Sequence, residues 1–188
     1  MKNKKLILIG ASTGGPGHLE RILSSLDPHL DASIIIAQHI DSIFLPSMIK
    51  RLNDVCAHEV IQIHENQSIK SKTVHFIDKD ISSLKFSSSK GLYLNMNTQA
   101  SHYQPSVNAL FSSASKLDAP YDILACLLTG IGDDGAEGML ALKNKGARCI
   151  AESQESSIVF GMPKVAFEIG ASTEIMHLDK IIEAIKNF

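Results

Sequence analysis

The feature that most limits what this chain can fold into is a recurring unit: a short unbroken apolar run that ends in a glycine or polar turn and gives way to helical spacing. Leu6-Ile7-Leu8-Ile9 stops at Gly10, residues 12–17 make a turn, and Leu19, Ile22, Leu23 and Leu26 then recur at helical intervals until Asp27-Pro28 ends the pattern. A run without alternating polar positions suits a strand covered on both faces, which is the condition of strands in parallel sheets. Residues 33–37, 123–128 and 148–151 repeat the strand signal, and residues 44–52 and 136–144 repeat the helical one. Further helices are predicted after Pro105 through Ser115, over 163–169 and over 179–187, with a short strand at 174–177. The fold class is therefore α/β, a doubly wound, mostly parallel sheet flanked by helices. Residues 58–97 differ in texture, with alternating stretches such as Glu59-Val60-Ile61-Gln62-Ile63, Thr73-Val74-His75-Phe76-Ile77 and Gly91-Leu92-Tyr93-Leu94. They are predicted to form an antiparallel hairpin region, with Ser87-Ser88-Ser89-Lys90-Gly91 as a hairpin tip and not a domain linker.

At 188 residues the chain fits one domain, residues 1–188, able to bury a core without disulfides or metals. Charged residues are 20% and the formal net charge is −2, so no basic field exists to hold nucleic acid or an anionic membrane. Cys56, Cys126 and Cys149 show no metal-ligand spacing and read as reduced thiols, Cys126 as a small buried hydrophobe. After Met1-Lys2-Asn3-Lys4-Lys5 the apolar stretch is too short for a signal or a membrane segment, so a cytoplasmic protein without membrane insertion is expected.

Ligands of open parallel sheets bind beyond the carboxyl ends of the strands, where the strand-to-helix turns gather. Three such turns are polar: Gly10-Ala11-Ser12-Thr13-Gly14-Gly15 after the first strand, Gln38-His39 after the second, and Gly132-Asp133-Asp134-Gly135 after the strand at 123–128. The first satisfies G-x-S-x-G between a strand and a helix, where small neighbours let a serine project from a tight turn. Taken alone it is also a glycine turn in which Ser12 or Thr13 caps a helix. A nucleotide cradle fits worse, because the loop lacks a P-loop lysine and the G-x-G-x-x-G spacing. Together the turns supply a hydroxyl, an imidazole and a carboxylate, the parts of a serine nucleophile activated by a base whose tautomer a carboxylate fixes. Either Asp133 or Asp134 satisfies the third role. The chain order Ser, His, Asp is not that of the α/β-hydrolases, which run Ser, Asp, His.

These segments resemble the catalytic domain of the CheB-type protein-glutamate methylesterases of bacterial chemotaxis. The resemblance spans nearly the whole chain: Ile9-Gly10-Ala11-Ser12-Thr13-Gly14-Gly15, Gln38-His39, Pro105-Ser106-Val107-Asn108, the loop from Leu128 to Met139, and Val159-Phe160-Gly161-Met162-Pro163. It implies Ser12 as nucleophile, His39 as base and Asp134, the carboxylate immediately before Gly-Ala, as the third catalytic residue. It implies an oxyanion site made by backbone N–H groups near Thr13 and Ile131, helped by the helix starting after Gly17. The implied reaction is hydrolysis of glutamate γ-methyl esters on the cytoplasmic helical bundle of methyl-accepting chemotaxis receptors, by a monomer without cofactor or metal. Some relatives also deamidate receptor glutamines. Three positions depart from the pattern: Ile131 replaces a usual methionine, Gln104 a usual basic residue, and Ile77-Asp78-Lys79-Asp80 a usual Ala-Pro-Gly segment. His102 lies near the same segment and reads as a surface or core residue. Other members commonly carry an N-terminal receiver domain; with five residues ahead of Leu6, a catalytic domain standing alone is the expectation here. The other readings of the chain are a binding protein that keeps the fold without turnover, and an esterase of small metabolites.

Overall fold

The computed structural model describes residues 4–79, 82–96, 101–119 and 121–188, so Met1, Lys2, Asn3, Asp80 and Asn97 of the segments above lie outside the described residues. Seven strands form one sheet: β1 (Lys4–Ala11), β2 (Ala32–Gln38), β3 (Glu59–Gln62), β4 (Thr73–Phe76), β7 (Tyr121–Leu127), β8 (Arg148–Glu152) and β9 (Glu174–Met176). Their order is β3-β4-β2-β1-β7-β8-β9, and every neighbouring pair is parallel. Strands β5 (Ser83–Ser87) and β6 (Gly91–Asn95) make a separate antiparallel hairpin.

The helices are α1 (Gly15–Ser24), α2 (Leu45–Val55), α3 (Val107–Ala114), α4 (Ala136–Asn144), α5 (Met162–Glu168) and α6 (Leu178–Lys186). Alternation along the central strands sends side chains into two separate cores. Ile7 and Ile9 of β1, with Ile34 and Ile36 of β2, face α1, α2 and α6 through Leu19, Leu23, Leu52 and Ile181. Leu6, Leu8 and Ile35 face α3, α4 and α5 through Leu110, Phe111, Met139 and Ala166. This two-sided burial is what the unbroken apolar runs encode. At about 1.5–3 kcal/mol for each large side chain removed from water, two such cores stabilise the domain without covalent staples. The cysteines are free, and burial pushes the Cys126 and Cys149 thiols up to about 12, which leaves both inert as nucleophiles.

Two expectations are corrected. Only residues 83–95 form the predicted hairpin, whose Leu84, Leu92 and Leu94 pack into the second core. Strands β3 and β4 instead extend the parallel sheet beside β2. The reason lies in β4, which is buried along its whole length. Its polar residues are paired internally: His75 Nδ1 donates to Ile34 O at 3.1 Å while Nε2 accepts from Lys70 N at 3.2 Å, and Thr73 Oγ1 donates to Ser71 O at 3.3 Å. Alternation that reads as a half-solvated hairpin is here an interior strand with satisfied polar side chains.

The second correction concerns α1, which begins at Gly15 and not after Gly17. Its first turn, Gly-Pro-Gly-His, contains no apolar residue to show the helical period. The start is set by Gly14, at φ 84°, and by proline in the first turn, where a missing N–H costs nothing.

Candidate active site

The order in which strands are added reverses at β1: β2 and β4 lie on one side and β7 and β8 on the other. The turns after β1, β2 and β7 therefore open at one edge, beside the switch in strand order. Register brings them together, with Ala11 opposite Gln38 and Gly10 opposite Leu127. Past the strands the ladder continues through His39 N to Ala11 O at 2.9 Å, Leu128 N to Gly10 O at 2.8 Å and Ser12 N to Thr129 O at 2.9 Å. Ser12 and His39 thus leave adjacent strands side by side, at a spacing of about 5 Å.

The Ser12 turn is held from below. Gly15 N closes it on Ser12 O at 2.8 Å, and the Gln38 amide donates from Nε2 to both Ser12 O and His39 O at 2.9 Å. Gln38 is buried, so one side chain fixes the carbonyls of both residues. A Cβ at Gly15 would collide with the Gln38 amide, which is why that position is glycine. Ser12 is half-buried, and its Oγ makes no hydrogen bond among the described residues.

His39 Nε2 meets Asp134 Oδ2 at 2.8 Å. Asp134 is buried, and its carboxylate also accepts Val107 N at 2.8 Å and Asn108 N at 2.9 Å, with Ser106 Oγ at 3.4 Å. These donors are the amino end of α3, where orphan N–H groups and the helix dipole favour an anion. Two glycines admit that end of the helix: a Cβ on Gly10 would strike Val107, and one on Gly135 would stand 2.6 Å from Val107 Cγ1. The structure separates the two aspartates that the pattern left open. Asp133 is exposed, and its carboxylate accepts the Tyr103 hydroxyl, at 3.3 Å.

Tyr103 gave no signal in the sequence, yet its ring stacks on His39 with centroids 5.1 Å apart and planes 5° from parallel. Gly132, at φ 88°, makes room for the phenol, because a Cβ there would collide with Tyr103 Oη. Such offset stacking confines the imidazole to one plane. The neighbouring His102 is exposed and joins neither group.

Thr13 and Ile131, the residues expected to line an oxyanion site, are both exposed. Thr13 O accepts Thr129 Oγ1 at 2.9 Å, and Gly130 is pinned by N–H donation to Val159 O at 3.0 Å and acceptance from Met162 N at 2.9 Å. The N–H groups of Thr13 and Ile131 donate to nothing among the described residues. The contact between the loops is close, since a Cβ on Gly130 would lie 2.6 Å from Ser12 Cβ. A hydroxyl, an imidazole oriented by a buried carboxylate, and two free amide donors can together carry out acyl transfer through a serine ester.

A model of the CheB methylesterase family matches residues 7–185. The chain is 38% identical to a protein-glutamate methylesterase/protein-glutamine glutaminase of Carboxydothermus hydrogenoformans, over 97% of this chain and 54% of that one. To the protein of the same name from Halalkalibacterium halodurans it is 36% identical, over 97% and 53%. The chain thus spans about half the length of these curated relatives. Among solved structures it superimposes on the CheB methylesterase catalytic domain of Thermotoga maritima with a TM-score of 0.90 and 29% identity, covering 99% of both chains. With the family model matched from the first buried strand to the last helix, this chain belongs to the CheB methylesterase family.

Proposed function

We propose that this chain hydrolyses glutamate γ-methyl esters on methyl-accepting chemotaxis receptors to glutamate and methanol, with Ser12 as nucleophile, His39 as general base and Asp134 as the carboxylate that orients it. The observation that carries this reading is the 2.8 Å contact of His39 Nε2 with an Asp134 carboxylate already fixed by two backbone donors. With Nε2 engaged, Nδ1 is the nitrogen left to take the Ser12 proton. Oγ attacks the γ-carbonyl carbon, the oxyanion is met by Thr13 N–H and Ile131 N–H, and α1, starting directly after the loop, adds its positive end. The imidazolium returns its proton to the departing methoxide, which leaves as methanol. Water deprotonated by His39 then cleaves the acyl-enzyme, releasing glutamate and free Ser12. Every side chain in this sequence comes from one chain, so a monomer suffices, and no step calls for a cofactor or metal.

A macromolecular substrate is favoured over a small metabolite by the surface around the site. Ile43 and Phe44 after β2, Ile131 after β7 and Ile158 after β8 are all large, apolar and at least 60% exposed on loops of this same edge. Clustered apolar exposure of this kind marks contact with another protein. The same acyl chemistry, with ammonia as leaving group, makes a receptor glutamine a second substrate, in keeping with the glutaminase named in the relatives. No helix among the described residues is long and apolar enough to cross a membrane, and the proposed substrate places the enzyme in the cytoplasm.

The test is methanol release from membranes bearing methylated receptors, run beside hydrolysis of a free chromogenic ester. Release from the receptors, abolished in Ser12→Ala, is the expected result. Hydrolysis of the free ester alone would replace the receptor reading with that of a small-molecule esterase, and labelling of Ser12 without any turnover would leave only a binding role.

A further inference from the structure

Beneath the nucleophile loop lies a buried, hydrogen-bonded histidine–carboxylate pair that the reaction itself does not use. Glu152, the last residue of β8, is fully buried. Its Oε1 accepts His18 Nε2 at 2.9 Å and Ser156 Oγ at 2.8 Å, and its Oε2 accepts Thr129 N at 2.8 Å. His18 belongs to the first turn of α1, is only 7% exposed, and also points Nε2 at Ser156 O, 3.1 Å away. Both partners of that nitrogen are acceptors, so it carries the hydrogen. Contact with Glu152 raises the His18 pKa against the opposing effects of burial and of Arg21, which sits on the same helix and is paired with Asp179 of α6.

Thr129 is where this pair reaches the chemistry. Its N–H is held by Glu152, its carbonyl receives Ser12 N–H at 2.9 Å, and its hydroxyl donates to Thr13 O at 2.9 Å while accepting Val159 N at 2.9 Å. One residue thus touches the backbone of the nucleophile, the carbonyl of Thr13 and the loop that pins Gly130. A buried carboxylate left without a partner is strongly destabilising, whereas one that is fully hydrogen-bonded can fix a single geometry. An apolar side chain at position 152 would fill the space but would leave Thr129 N–H buried and unpaired, loosening the residue whose carbonyl receives Ser12 N–H.

We propose that His18 and Glu152 are positioning residues for the proposed hydrolysis, holding Thr129 so that Ser12 and the Thr13 N–H stay aimed at one substrate carbonyl. The inference rests on the methylesterase reading for its substrate, but its geometry requires only that Ser12 be the nucleophile. Misaligning the loop slows chemistry without weakening substrate contacts, so the loss falls on kcat and leaves KM in place.

The experiment measures turnover of a methyl ester and the rate at which a fluorophosphonate labels Ser12, in protein whose folding is checked by circular dichroism and thermal unfolding. Glu152→Ala and His18→Leu are each expected to lower kcat and the labelling rate together by about tenfold or more, with KM within about twofold. Glu152→Gln, whose amide oxygen still accepts Thr129 N–H, should keep at least about a third of both rates. Thr129→Val serves where the His18 and Glu152 variants do not fold. It removes the hydroxyl contacts alone and should slow labelling, while Thr129→Ser restores it. Folded variants that label at the wild-type rate, or Glu152→Gln behaving as poorly as Glu152→Ala, would overturn the inference. Wild-type protein that is labelled at Ser12 but releases no methanol would instead defeat the methylesterase reading and leave the positioning role to be judged by labelling.

Discussion

His39 Nε2 and Asp134 Oδ2 stand 2.8 Å apart, and that same carboxylate oxygen takes Val107 N–H at 2.8 Å, so the amino end of α3 aligns the imidazole through the carboxylate. The imidazole is held on one edge by Asp134 and on one face by Tyr103.

Ser12→Ala and His39→Ala are each expected to lower ester hydrolysis by about 10⁴ or more, and the double variant should be hardly worse than either single one, because the residues act as a unit. Methanol release from receptor membranes measures all three. Additive losses would mean that the two side chains act independently.

Asp134→Asn should be costly twice over. The amide presents an NH₂ group to donors that the carboxylate accepted, at about 1–3 kcal/mol of stability, and it favours the wrong His39 tautomer, at roughly 10²–10⁴ in rate. Asp133→Asn, at an exposed position whose carboxylate meets the Tyr103 hydroxyl, should change either quantity little. Denaturant unfolding and initial rates for the two variants decide between the neighbours.

Tyr103→Ala is expected to lower kcat several-fold by freeing the His39 ring, and Tyr103→Phe to restore most of it, since the stack survives and only the 3.3 Å bond to Asp133 is lost. Equal losses in the two variants would transfer the role from the ring to the hydroxyl.

Gly10→Ala tests whether the sheet supports the carboxylate. The added methyl strikes Val107 at the start of α3 and must displace the helix end that supplies two N–H groups to Asp134. A loss of about 1–3 kcal/mol from overpacking is expected, together with a drop in kcat, read by denaturant unfolding and steady-state kinetics.

Two buried histidines give opposite pH signatures. Burial lowers the His75 pKa, so the folded state prefers neutral imidazole, and its contribution, complete above about pH 6.5, is lost as pH falls through the depressed folded value. Glu152 raises the His18 pKa, so that contribution is complete below about pH 6.5 and is lost as pH rises through the raised folded value. Unfolding free energies measured across this range should show a shallower acid limb in His75→Leu and a shallower alkaline limb in His18→Gln.

The sequence by itself determined the central sheet, because runs such as residues 6–9 and 33–37 have no polar face to offer water and are stable only between two layers. It also placed Ser12, His39 and the aspartate pair in turns at one sheet edge, since a strand followed by a helix puts its turn at the carboxyl edge. Tertiary structure decided what depends on register and on residues far apart in the chain. Strand β4 joined the parallel sheet because His75 and Thr73 found internal partners, which alternation alone does not reveal. That Asp134 and not Asp133 meets His39 follows from α3, whose amides lie 26 and 27 residues away in the chain. Tyr103 and Glu152 carry no local signal, because stacking on His39 and bonding to Thr129 exist only once β1, β2, β7 and β8 lie side by side. Local patterning fixes which face of an element is buried. Which particular groups meet across the sheet edge is set by the packing of the whole domain.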